Sequence, residues 1–191
     1  MEFSTKKKTL YLVLTALFAA LTTVATILIQ IQIPGAQGYI NFGDAVIFIS
    51  AYVLGGVGGF LVGGVGSMLA DLFTSYFVYA PFTFVIKGLE GFVCGIIFTK
   101  TMRSSKPILK RLTSAFLGGL VCWIGYTLTD LVLFGKEVAL LTLALTPIQV
   151  GVSIIIALFA SPKLFELVIR NRYNETKVRD VDEETDEQNK E

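Results

Sequence analysis

The sequence predicts an all-α integral membrane protein of six transmembrane helices with both termini in the cytoplasm. Three observations carry that prediction. Fifty-three per cent of the 191 residues are apolar and only 16% are charged, where a soluble domain carries about 25%. The mean hydropathy is +0.69. The charges gather at the ends: of 15 acids, eight lie beyond residue 173, and of 16 bases only Lys87 sits deep inside an apolar stretch. What lies between the ends has too few polar side chains to cover itself in water, which excludes a soluble globular enzyme. A net charge of +1 without a continuous basic patch excludes a nucleic-acid binder.

A helix needs about 20 apolar residues to cross a bilayer core. The first span runs from about Leu10 to Gln30. Its basic start imitates a secretory signal, but the run Thr9–Ile33 is longer than the roughly 7–15 residues of a signal core, so it reads as a retained span. The second and third spans lie within Phe42–Tyr79, broken around Gly55-Gly56-Val57-Gly58-Gly59. The fourth covers Phe82–Phe98, the fifth Leu112–Phe134 and the sixth Val138–Ala160, with Pro162 expected to end or bend it. The chain thus divides into a basic N-terminus (1–9), a membrane domain (10–173) and an acidic tail (174–191) whose composition predicts disorder.

Charge placement sets the count of crossings. Lys and Arg collect in cytoplasmic loops. Six spans with the N-terminus inside put 14 of the 16 bases on that side, the exceptions being Lys87 and Lys136. Five spans would place the basic N-terminus and the basic 99–111 loop on opposite sides. The glycine-rich repeats Gly55–Gly58 and Gly63–Gly66 lack the Lys-Ser/Thr of a phosphate-binding loop and suit close helix packing, with Gly59 and Gly63 four apart. Gly88, Gly91 and Gly95 form a second small-residue stripe.

Ionisable groups inside a bilayer cost about 2.5–3.5 kcal/mol each, so they mark partners, cavities or ligands. Here they are Asp44, Asp71, Lys87, Glu90 and Asp130, joined by Asn41 and Gln149. Under the six-span topology all fall in the outer half or near the midplane. A proton or ion path would need polar groups at every depth, whereas this pattern describes a pocket open outward and closed below. Lys87 and Glu90, three apart, share a helix face. Trp123, Thr127 and Asp130 share another, with Tyr126 beside it, and an aromatic face under a carboxylate suits a flat heteroaromatic ring. The loop 32–43 carries Tyr39, Asn41 and Phe42 and has the glycines and proline of a lid. Asp71 reads as a structural polar group. There is no histidine, and Cys94 and Cys122 lie in apolar segments, so neither a metal centre nor a His-based triad is expected.

The segments Gly38-Tyr39-Ile40-Asn41-Phe42-Gly43-Asp44-Ala45, Gly55-Gly56-Val57-Gly58-Gly59, Ala70-Asp71-Leu72 and Pro81–Gly91 resemble the substrate-binding S components of energy-coupling factor (ECF) vitamin transporters. The similarity covers about residues 9–165 and is nearest the riboflavin-transporter-like group, which includes pyridoxine and hydroxymethylpyrimidine members. It implies six helices, capture of a vitamin from outside by the first loop and helices four to six, and no cofactor. It implies as partners a transmembrane coupling subunit and two ATP-binding-cassette ATPases. It also implies that Ala16 and Ala20, the small pair of an alanine motif, contact the coupling subunit.

The expected function is therefore that of an S component of an ECF-type importer in a prokaryotic plasma membrane. The expected cargo is pyridoxine or hydroxymethylpyrimidine, because the pocket holds more acids than bases and disfavours anions. The expected ligand contacts are Tyr39, Asn41, Phe42, Asp44, Lys87, Glu90, Trp123, Tyr126, Asp130 and Gln149. The alternatives are a riboflavin-specific S component and a self-sufficient secondary transporter, the latter predicting inverted repeats that the sequence lacks. An intramembrane enzyme would have only Lys87 and Glu90 to work with.

Overall fold

The computed structural model describes the backbone of residues 2–32, 35, 38–100 and 107–188, and the side chains of 8–32, 35, 38–100 and 107–162. Arg103, Lys106 and Pro34, used in the orientation and lid arguments, lie outside the described residues. The elements in order are α1 (Glu2–Leu28), β1 (Ile31–Gln32), β2 (Tyr39–Ile40), α2 (Gly43–Phe73), α3 (Ala80–Lys100), α4 (Pro107–Leu133) and α5 (Lys136–Gln188). Among the described residues five helices are long and apolar enough to cross a membrane: Lys8–Leu28, Gly43–Phe73, Ala80–Lys100, Pro107–Leu133 and Lys136–Pro162.

The stretch that the sequence divides into two spans is the single element α2, and it is not straight. Gly55 has φ 77° and ψ −169°, a conformation essentially closed to residues with a Cβ. On the two sides of it, Ile47 packs against Gly63 and Ala51 against Gly59. In a straight helix residues 47 and 63 would be about 24 Å apart. The chain therefore doubles back at Gly55, and the two arms of α2 lie side by side.

Small residues let the second arm of α2 meet α3. Gly59 and Gly91 approach so closely that a methyl group on either would strike the other's backbone carbonyl. This is the close crossing that the glycine stripes predict, and it compensates in packing for the absence of a hydrophobic driving force in lipid. α1 joins α2 through the Thr23 hydroxyl, which donates to the Gly66 carbonyl at 2.8 Å. α4 meets α5 where Val150 fills the space over Gly119.

One end of the bundle carries the bend at Gly55 together with Lys100 and Arg111, whose backbone carbonyl accepts a hydrogen bond from Tyr52 at 2.9 Å. The opposite end carries the β1–β2 hairpin, paired Ile31 to Ile40 and Gln32 to Tyr39. The apolar core, with Phe48, Tyr52, Cys94, Phe98 and Ile154, fills the bundle interior. The polar groups sit at the hairpin end.

Contacts divide the chain into residues Met1–Leu158 and Phe159–Glu191. In the second unit the helical backbone passes through Pro162, where the sequence expects an end or a bend, and reaches Gln188. Residues 174–188 of the acidic tail have helical backbone.

Candidate functional site

The site begins with one lysine. Lys87, on α3, is 2% exposed, and its ammonium donates to Asp44 on α2, to Glu90 Oε2 at 3.0 Å and to Cys122 Sγ on α4 at 3.0 Å. The ammonium also lies 5.4 Å from the centre of the Tyr126 ring. Asp44, Glu90 and Cys122 present their ligating atoms within 4.8 Å of one another, a spacing a metal could use. The lysine bonds all three, so an internal cation fills that role.

Asp44 extends the network to α5. Gln149 Nε2 donates to Asp44 Oδ2 at 2.8 Å, and Gln149 Oε1 accepts the backbone N–H of Asn41 at 3.1 Å. Asn41 in turn accepts the Gly43 N–H at 2.9 Å, satisfying one of the free donors at the start of α2. The lysine is thereby tied through two side chains to Asn41, the residue that follows β2 of the hairpin. Both ends of the Gln149 amide are committed in this way.

Above this network is a cleft partly open to solvent. The hairpin supplies Gly38, Tyr39, Ile40 and Asn41 to its wall, and α5 supplies Thr142, Leu145, Thr146 and Gln149. Aromatic rings run along it in a chain: Tyr39 to Tyr76 at 4.6 Å, Tyr76 to Tyr79 at 6.5 Å, and Tyr79 to Tyr126 at 6.4 Å. Three of their hydroxyls are anchored. Tyr39 donates to Asp71 Oδ1 at 2.8 Å, Tyr79 to Asp130 Oδ1 at 2.6 Å and Tyr126 to Thr83 at 3.0 Å. The other oxygen of Asp130 accepts from Thr142. Burial, reinforced by the Asp71 carboxylate, holds the Tyr39 phenol well above its ordinary pKa, so it remains a donor at physiological pH.

Of the residues expected to touch a ligand, Tyr39, Asn41, Lys87, Tyr126, Asp130 and Gln149 line this cleft, and so does Asp71, expected to be structural. Asp44 and Glu90 lie beneath it, against Lys87. Phe42 caps the start of α2 and is not in the lining. Trp123 is outside the lining as well, its indole N–H donating to the Leu143 carbonyl at 2.9 Å. Tyr76, Tyr79, Thr142 and Thr146 are lining residues that sequence reasoning passed over. Tyr76 and Tyr79 fall in the short connection before α3, where no periodicity marks a face. Ala16 and Ala20 are exposed on α1, away from the cleft lining.

What the arrangement can do chemically follows from its charges. Asp44 and Glu90 hold the one amine, and Asp71 and Asp130 line the cleft above it. The cleft offers acceptors and aromatic faces, without a free cation among its described lining residues. Such a site favours a flat, uncharged or basic ring bearing N–H or O–H donors, and repels phosphate and carboxylate groups.

The model of the family described as ECF-type riboflavin transporter, S component, matches residues 6–164. A protein of Pyrococcus woesei, known as an uncharacterized protein in a gap 3' region, is 42% identical over 113 residues, covering 59% of this chain and 73% of that one. The thiamine precursor transporter HmpT of Lactococcus lactis subsp. cremoris is 26% identical over 175 residues, 91% of this chain and 98% of that one. The solved structure of the S component of a bacterial ECF transporter superposes with a TM-score of 0.55 at 18% identity, covering 89% and 99% of the two chains. That last likeness is one of fold.

Proposed function

The chain belongs to the ECF-type riboflavin transporter S component family, and from that premise we propose that it captures a hydroxylated, nitrogen-bearing aromatic vitamin or precursor, hydroxymethylpyrimidine before pyridoxine. As an S component it is a substrate-binding membrane subunit that partners the ECF module, and its family is one of transporters rather than enzymes. We read the fold as six membrane crossings with both ends cytoplasmic. The doubling of α2 at Gly55 supports the sixth crossing, and the end bearing Lys100 and Arg111 supports that orientation. The cleft then faces outward, and two ATP-binding-cassette ATPases of the module supply the energy for import. Ala16 and Ala20, exposed on α1, are the proposed contact with the coupling subunit.

The observation that carries the choice of cargo is the excess of carboxylates around a committed lysine. A phosphorylated or carboxylated ligand would enter against Asp71 and Asp130 with no spare cation to meet it. A pyrimidine or pyridine donates an N–H or O–H group to Asp71 and stacks on the tyrosines. The likeness to a thiamine precursor transporter supports the pyrimidine. Asn41, Gln149 and Tyr39 would close the hairpin over the ring.

Calorimetric titration of the purified protein in detergent tests this reading, with hydroxymethylpyrimidine, pyridoxine, pyridoxal phosphate and riboflavin as ligands. The pyrimidine is expected to bind most tightly and the phosphorylated compound not at all. Riboflavin binding tenfold tighter than either small ring would replace the proposed cargo with riboflavin. Concentrative uptake by this chain alone, without the ECF module, would instead favour a secondary transporter.

A further inference from the structure

We propose that Asp71 accepts the amino group of the ligand and sets a preference for an amino-substituted ring over its oxo-substituted counterpart. The proposal rests on the pyrimidine reading above and goes one step further, to the atom that discriminates.

The acids around the cleft differ in what they still have to give. Asp44 has both oxygens engaged, one by Lys87 and one by Gln149. Asp130 has both engaged, by Tyr79 and Thr142. Glu90 keeps a free Oε1, but it lies outside the cleft lining. Asp71 lines the cleft, is only 4% exposed, and gives Oδ1 to the Tyr39 phenol. Its Oδ2 is buried and has no hydrogen-bond partner among the described residues. The Thr83 hydroxyl, which accepts from Tyr126, stands close to the carboxylate without closing a bond to Oδ2, and Lys87 acts on it through charge alone.

A buried acceptor without a donor is costly, and the cost is relieved by whatever donor arrives. The surroundings say what shape that donor has. Tyr39 and Tyr76, whose ring centres are 4.6 Å apart, stand beside the cleft wall that holds Asp71, and Ser67 lines the wall one helical turn below. A planar ring carrying an exocyclic NH₂ presents two donors in its own plane and can lay its face on a tyrosine while one N–H reaches Oδ2. An oxo group at the same ring position presents only lone pairs and meets the carboxylate lone pair to lone pair. Sites built to hydrogen-bond a ligand group reject the analogue that cannot complete the bond far more strongly than apolar pockets reject a change of size.

The test compares 4-amino-5-hydroxymethyl-2-methylpyrimidine with its 4-oxo counterpart by calorimetry on the full chain. The wild-type protein is expected to prefer the amino compound by about a hundredfold or more. In Asp71→Asn the amide can turn either its oxygen or its NH₂ inward, so the preference is expected to fall to within about tenfold. Tyr39→Phe keeps the carboxylate and is expected to keep the preference, whatever it does to affinity. Asp71→Ser serves if the asparagine variant does not fold. Equal binding of the two compounds by the wild-type protein overturns the proposal with no variant needed. Equal loss for both compounds in Asp71→Asn, with the ratio unchanged, overturns it too and leaves the pyrimidine reading standing. Binding of neither compound overturns that reading and the role of Asp71 with it.

Discussion

The Lys87 ammonium and the Asp44 carboxylate form an ion pair 43 residues apart in sequence, with 2% and 0% of the two side chains exposed. It joins the first arm of α2 to α3 beneath the cleft, and Glu90 and Cys122 complete the shell around the amine. In so dry a place the pair and its neighbours act as one unit, because each charge is tolerable only while the other is present.

Replacing Lys87 with Met should therefore destabilise the protein by about 3–5 kcal/mol, the cost of leaving a buried charge without its partner. The double variant Lys87→Met/Asp44→Asn should recover a large part of that loss. Thermal unfolding in detergent, followed by size-exclusion fluorescence, gives both numbers. If the double variant is no more stable than the sum of its single changes, the two residues are not coupled. Ligand binding should weaken in both, since the floor of the cleft moves with Lys87.

Gln149 offers a different kind of lever. Its amide bridges the Asn41 backbone N–H and the Asp44 carboxylate, so it holds the hairpin to the charged floor. Gln149→Leu keeps the bulk and removes both bonds. The expected outcome is a dissociation rate raised by about ten- to a hundredfold with little change in the association rate, because the hairpin no longer stays closed. Stopped-flow quenching of tyrosine fluorescence on ligand binding measures the two rates separately. A change confined to the association rate would place Gln149 outside hairpin closure.

Much of the site was legible in the chain because charge in lipid is rare. Lys87 and Glu90 announce themselves by their i,i+3 spacing, and they do meet at 3.0 Å. The glycine stripes foretell the crossing of α2 and α3 at Gly59 and Gly91. The face of α4 was harder. A helix that is apolar all round has no polar side to show which way it turns. Trp123 and Asp130 share a face by spacing, yet the residues facing Lys87 and the cleft are Cys122, Tyr126 and Asp130, about 100°, 60° and 20° around the helix from Trp123, which itself falls just outside. Long-range partners such as Asp44 with Gln149, 105 residues apart, leave no trace in local spacing. Neither do Tyr76 and Tyr79, whose short connection has no period to read.

That assignment of faces can be checked directly. Trp123→Phe should change ligand affinity less than about threefold, since the indole N–H is spent on the Leu143 carbonyl and the ring lies outside the cleft lining. Tyr126→Leu should weaken binding by about tenfold or more, through loss of the ring beside Lys87 and of the bond to Thr83. Equilibrium titration of both variants against the wild type decides it. A larger loss at Trp123 than at Tyr126 would return the ligand to the other face of α4.

Ala16 and Ala20 make the last prediction, one about transport rather than binding. Both are exposed among the described residues, one turn apart on α1, which leaves them open to a partner. A small pair on an otherwise large-residue surface lets another helix approach closely, and the neighbouring exposed Leu17, Leu21 and Val24 would frame it. Leucine at either position adds bulk only where a partner would sit. Ala16→Leu and Ala20→Leu are therefore expected to leave ligand affinity within about twofold of wild type and to lower uptake at least tenfold in membranes that contain the ECF module. Calorimetry on the isolated chain and radiolabelled uptake into vesicles with the full complex read the two quantities independently. Loss of binding in the isolated chain would show that α1 supports the cleft, and unchanged uptake would move the coupling contact to another surface.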